Sequence, residues 1–124
     1  IPICLFEMAD EVDTGPILLE DVFSLDGTEL FRDIKAKQAR ATEELVLRFL
    51  SNPGAVDEKA QSGPSSYYRR RTTADDEISP EATIADVFDK LRICNPDAYP
   101  AWFRFRGRRY VVSIEYADDS GDEL

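Results

Sequence analysis

The first run that could carry chemistry is Glu11-Val12-Asp13-Thr14-Gly15-Pro16-Ile17-Leu18. It reads as an aspartate on a turn beside a glycine, between two strand-like segments. A carboxylate held at a sheet end with backbone close by suits an acid, a base or a group that orients one. The same composition also builds an ordinary turn, and the tripeptide Asp13-Thr14-Gly15 leaves both readings open. The second run is Tyr67-Tyr68-Arg69-Arg70-Arg71-Thr72. Arginine forks bind phosphate by paired hydrogen bonds while a neighbouring ring stacks on a base or sugar. A solvated basic loop that balances nearby acids is the plainer alternative. The third run, Arg92 to Trp102, contains Pro96 and Pro100 and makes a rigid elbow from helix to strand; alone it is structure.

The chain contains no histidine. No mechanism within it can use imidazole as base, acid or metal ligand, so Ser-His-Asp and Cys-His catalysis are excluded from these residues. Cys4 and Cys94 are too few for a disulfide framework or a zinc site, and no metal is expected. They read as reduced thiols of a cytoplasmic protein. The formal net charge of −10 disfavours nucleic acid as a partner. The basic residues are nevertheless clustered, in Arg69-Arg70-Arg71 and in Arg104, Arg106, Arg108 and Arg109. The opening Ile1-Pro2-Ile3-Cys4-Leu5-Phe6 is too short to span a membrane and lacks a basic flank. It reads as a strand entered in mid-sequence, as in a piece of a longer protein.

These runs need elements to position them. Residues 1–8 and 17–24 read as strands, with 9–16 as the loop between them. Asp26 or Thr28 can cap a helix whose apolar stripe is Leu30, Ile34, Ala41, Leu45 and Phe49, and Glu29 suits its positive end. The stripe predicts an amphipathic helix over about 28–51, stopped by Asn52-Pro53-Gly54. Thr83 and Asp86 form a capping box for a second helix over 84–93. Ala101–Phe105 and Arg109–Tyr116 predict a β-hairpin around Gly107, with Trp102, Tyr110, Val112 and Ile114 on one face. The expected organisation is 1–60, an irregular Tyr/Arg-rich loop 61–79, a helix-plus-hairpin region 80–117, and an acidic, disordered tail 118–124.

The order of these pieces resembles the second half of the formyltransferases that use 10-formyltetrahydrofolate. It comprises Phe6-Glu7-Met8, Asp13-Thr14-Gly15-Pro16-Ile17-Leu18, Gln61, Tyr68-Arg69-Arg70-Arg71-Thr72, Asp75-Asp76-Glu77-Ile78, Leu91-Arg92 and Tyr99-Pro100-Ala101-Trp102. The sugar N-formyltransferases are the nearest branch, and methionyl-tRNA formyltransferase is similar but more distant. The resemblance implies an α+β fold: two strands and a long helix from the tail of a Rossmann-like domain, then a loop, a second helix and a C-terminal hairpin. It implies that Asp13 is the aspartate of a catalytic Asn, His and Asp set, orienting the His. Thr14, Gly15 and Pro16 would line the folate pocket. Tyr68, Arg70 and Arg71 would lie near the acceptor, at the phosphates of a nucleotide-linked amino sugar. The family's Asn and His are absent from this sequence, so these residues alone are expected to be inactive. Sugar N-formyltransferases can end in a dimerising hairpin, which implies a homodimer through residues 101–116; an acidic end without a barrel speaks against tRNA.

Two other readings are weighed beside this one. A dimerisation or acceptor-binding module without folate chemistry is one. A retroviral-type aspartic protease shares Asp13-Thr14-Gly15, but Pro16 stands where that family has a small residue. No later hydrophobic-hydrophobic-Gly run follows, and the long helix fits a small all-β protease badly.

Overall fold

The computed structural model describes residues 1–117; the acidic tail at 118–124 lies outside the described residues. The fold is α+β, with two antiparallel strand pairs and two α-helices. The chain divides into two compact units, one of residues 1–26 and 33–69, the other of 27–32 and the residues from Arg70 on.

The first unit is built on a hairpin of β1 (Pro2–Phe6) and β2 (Ile17–Val22). Pro2 opposes Val22 and Leu5 opposes Leu19, with a bulge between Leu5 and Phe6. The ladder is closed at one end by the Phe23 amide on the Ile1 carbonyl, 3.0 Å, and at the other by the Glu7 amide on the Pro16 carbonyl, 2.9 Å. Lys59 extends the ladder by exchanging both backbone bonds with Ile17, at 2.7 and 2.9 Å. Nearly all of α1 (Phe31–Ser51) belongs to this unit. Its stripe is the expected one from Ile34 on, with Leu30 lying just before the helix: Leu45 is buried, and Ile34, Ala41 and Phe49 are half-buried. Val46, Leu47 and Leu50 stay exposed beside it.

The helix begins at Phe31, three residues later than the sequence predicts. The backbone just before the helix is held by a residue distant in sequence. Tyr116 donates its hydroxyl to the Thr28 carbonyl at 3.2 Å and accepts the Leu30 amide at 3.1 Å. Glu29, just before the helix, is 5% exposed, takes the Gly27 amide at 3.1 Å and pairs with Arg92, which also donates to the Glu29 carbonyl. A buried carboxylate paired this way fixes the segment before the helix, because breaking such a pair costs on the order of 3–5 kcal/mol.

In the second unit, α2 (Ile84–Ile93) starts where the capping box places it: the Asp86 amide donates to Thr83 Oγ1 and the Thr83 amide to Asp86 Oδ2, each at 3.2 Å. The hairpin is β3 (Ala101–Phe105) and β4 (Arg108–Val112). Arg106 (φ 49°) and Gly107 (φ 79°) form its two-residue turn, and two positive φ values match the right-handed twist of the strands. The register pairs Trp102 with Val111 and Phe103 with Tyr110. Trp102 therefore lies on the opposite face from Tyr110 and Val112, against the shared face expected from sequence. The two-residue turn sets the phase, and a shift of one residue exchanges the faces. Ala101 and Val112 join Leu91, Cys94, Ile78, Val87 and Ile114 in the core. Phe103 stacks on Tyr110 at 5.6 Å. On the other face, Arg109 and Arg104 lie over the Trp102 ring at 4.2 and 5.8 Å. Trp102 Nε1 donates to the Thr73 carbonyl at 2.7 Å, and the Ile78 amide bonds the Trp102 carbonyl at 2.8 Å, so the 73–78 segment is sewn to β3.

Asp76 is the most deeply placed polar group of this unit, 2% exposed. Arg71 reaches its Oδ1 through Nε, at 3.2 Å, and through Nη2, and the Cys94 thiol donates to the same oxygen at 3.6 Å. Burial pushes the Cys94 thiol up, and the Asp76 charge adds to it, so the thiol is protonated at neutral pH. Arg71→Met should cost about 1–3 kcal/mol, below the usual range for a broken buried pair because the Arg71 half is solvent-screened. Urea unfolding of the variant would measure it, and an unchanged midpoint would contradict the pair's role.

Candidate functional site

The loop between β1 and β2 presents Asp13. Its backbone lies in the left-handed region, φ 58°, which aspartate tolerates because its short side chain bonds locally. Thr14 Oγ1 donates to the Glu11 carbonyl at 2.9 Å and tightens the turn. Gly15 is buried, and a Cβ there would overlap the Glu7 carbonyl oxygen. Its conformation is ordinary; what demands glycine is the close approach of the two strand ends. The Gln61 amide then closes the loop from outside, donating to the Asp13 carbonyl at 2.9 Å and the Gly15 carbonyl at 2.6 Å. The Asp13 side chain is left exposed at the apex of a tied loop.

Beside the strand ends lies a groove of about 300 Å³ lined by Glu7, Leu18, Phe49, Pro53, Val56 and Glu58. Its lining combines four apolar residues with two acidic ones. Met8 and Val12, in the loop itself, are 92% and 86% exposed. Large apolar side chains so exposed in a loop are a common mark of a binding surface.

The residues assigned to the acceptor divide between the units. Tyr68 falls in the first unit with Asp13, Thr14, Gly15 and Pro16, and Arg70 and Arg71 fall in the second. Tyr67 and Tyr68 are almost fully exposed. Arg71 is engaged with Asp76, yet its side chain remains 53% accessible. Gln61 and Asp76 have no functional role in the sequence reading, and Glu29 has one only as a helix-start residue. Gln61 is one amide in a polar stretch, and Asp76 one acid in an Asp75-Asp76-Glu77 run, so composition could not single out either. Among the described residues, no three His, Cys, Asp or Glu side chains group as metal ligands, and no helix is long and apolar enough to cross a membrane.

No family model matches the sequence. Relatives are found among methionyl-tRNA formyltransferases. That of Thermotoga maritima is 27% identical over 126 residues, covering 98% of this chain and 40% of its own length. That of Pseudothermotoga lettingae is 27% identical over 90 residues, 73% of this chain and 26% of its own. Among solved structures, the methionyl-tRNA formyltransferase of Clostridium thermocellum superposes with a TM-score of 0.68 at 20% identity, over 97% of this chain and 52% of that one. A 4-N formyltransferase from Francisella tularensis gives 0.69 at 20%, over 90% and 49%. The chain thus spans less than half the length of these curated relatives and about half of the solved chains.

Proposed function

We propose that the protein carrying this chain, which is similar to formyltransferases in sequence and fold, moves a formyl group from 10-formyltetrahydrofolate to the amine of a nucleotide-linked amino sugar. The amine nitrogen attacks the formyl carbon, the resulting tetrahedral centre collapses, the bond to the folate N10 breaks, and the amine proton passes to the departing nitrogen. Asp13, exposed on its tied loop, is the observation that carries the reading. It orients the proton-transferring group, a histidine supplied from outside these residues. Thr14, Gly15 and Pro16 border the folate, and Tyr68, Arg70 and Arg71 the acceptor, with the rings on the base or sugar and the guanidinium groups on phosphate. The 124 residues alone are then inactive, since groups acting as a unit do not work singly. The protein is cytoplasmic and pairs as a homodimer through the exposed edge of β3–β4.

Calorimetric titration of a nucleotide-linked amino sugar, with Tyr68→Ala and Arg70→Ala alongside, tests the acceptor assignment. Each variant should weaken binding roughly tenfold, the worth of one charge-assisted or stacking contact of about 1.4 kcal/mol. Affinity unchanged in both variants would contradict it. A second reading, methionyl-tRNA as acceptor, has its own support in the relatives' names and in the arginines of the hairpin.

A further inference from the structure

We infer that Gln61 is the positioning residue of the Asp13 loop: its single NH₂ group clips the Asp13 and Gly15 carbonyls together and thereby fixes the direction of the Asp13 carboxylate. The inference rests on the reading of Asp13 given above. An amide has two N–H donors, and here each has its own carbonyl, at 2.9 and 2.6 Å, on residues two apart in the chain. The two carbonyls flank the Thr14 peptide, so the clip spans the apex of the turn. Gln61 is itself anchored. Two residues earlier, Lys59 exchanges both of its backbone bonds with Ile17, the first residue of β2. The strap at 59–61 therefore ties the loop apex to the base of the strand that follows it. Asp13 holds a positive φ of 58° in the same turn. A residue in that region shifts its side chain when the turn relaxes toward ordinary φ, so the clip controls where the carboxylate points.

The chemistry of the clip restricts what can replace it. Glutamate has the same length, but its carboxylate has no N–H to give and repels both carbonyl oxygens and Asp13. Asparagine keeps the donors on a shorter stem. Gln61→Glu, Gln61→Asn and Gln61→Ala, made in the full-length protein that carries this segment, separate positioning from folding. In Gln61→Glu and Gln61→Ala, kcat for formyl transfer should fall on the order of 10²-fold while the acceptor KM stays nearly constant, as expected for a misplaced group. The Glu7 amide, which bonds the Pro16 carbonyl across the loop neck, should exchange with solvent about tenfold faster in both variants. Gln61→Asn should fall between them and the parent. Wild-type kcat together with unchanged Glu7 exchange would overturn the inference, as would a rise in KM with constant kcat. Asp13→Asn, run in parallel, keeps the two ideas apart. If it retains full activity, the role of Asp13 fails, and Glu7 exchange alone then decides for or against the clip.

Discussion

Asp13→Asn in the full-length protein is expected to lower kcat for formyl transfer by roughly 10²–10⁴-fold, the range in which proton transfer by a positioned group contributes. The amide keeps the size and shape of the carboxylate and removes its charge. The loop should not notice the change, because Asp13 is tied through its backbone carbonyl, which accepts from Gln61, while its side chain lies exposed. Thermal stability and nucleotide-sugar affinity should match the parent, so the loss falls on the chemical step. Equal losses of stability and activity would instead make Asp13 a turn residue, the plainer of the two readings its sequence context allows. Single-turnover kinetics with saturating acceptor distinguishes them, since it reports the chemistry free of binding and release.

Gly15→Ala should be the most damaging small substitution in the first unit. A single methyl at that position would occupy the space of the Glu7 carbonyl oxygen, and the obstacle is backbone, not the end of a flexible side chain. The strand ends would have to part. That would cost the Glu7–Pro16 bond and both carbonyl contacts of Gln61. Overpacking alone costs about 1–3 kcal/mol. With about 0.5–1.5 kcal/mol for each lost hydrogen bond, the total comes to about 3 kcal/mol or more. The midpoint of thermal unfolding should fall by roughly 10 °C or more. Gly54→Ala is the control: it has an ordinary φ and nothing within 4 Å of the added carbon. Its midpoint should stay within a degree or two, about 0.5 kcal/mol. Comparable shifts in the two variants would mean that close approach is not what fixes glycine at 15.

Most of the elements were legible because they follow from local rules. Thr83 and Asp86 mark the start of α2 to the residue, since a reciprocal cap needs only three-residue spacing. The stripe of α1 was readable for the same reason. Its start was not, since the Thr28 carbonyl and Leu30 amide just before it meet the Tyr116 hydroxyl, 86 residues from Leu30. The face of Trp102 was misjudged on a single residue of phase, decided by the turn at Arg106-Gly107. Asp13 stood out as chemistry through its turn, but its holder Gln61 could be seen only once the chain had folded, 46 residues from Gly15. Asp76 was hidden in an acidic run. The Arg71 guanidinium offsets its burial by bringing a compensating charge to the carboxylate.

The most direct test of the account follows the formyl group itself. The full-length protein would be incubated with 10-formyltetrahydrofolate carrying a labelled formyl carbon, and with two acceptors in separate reactions, a nucleotide-linked amino sugar and methionyl-tRNA. The account predicts label in an N-formyl amide of the sugar, released together with tetrahydrofolate, and none with Asp13→Asn. Label on methionyl-tRNA alone would contradict the sugar acceptor and leave the family standing. Label on neither, from a folded protein that binds the folate, would contradict formyl transfer.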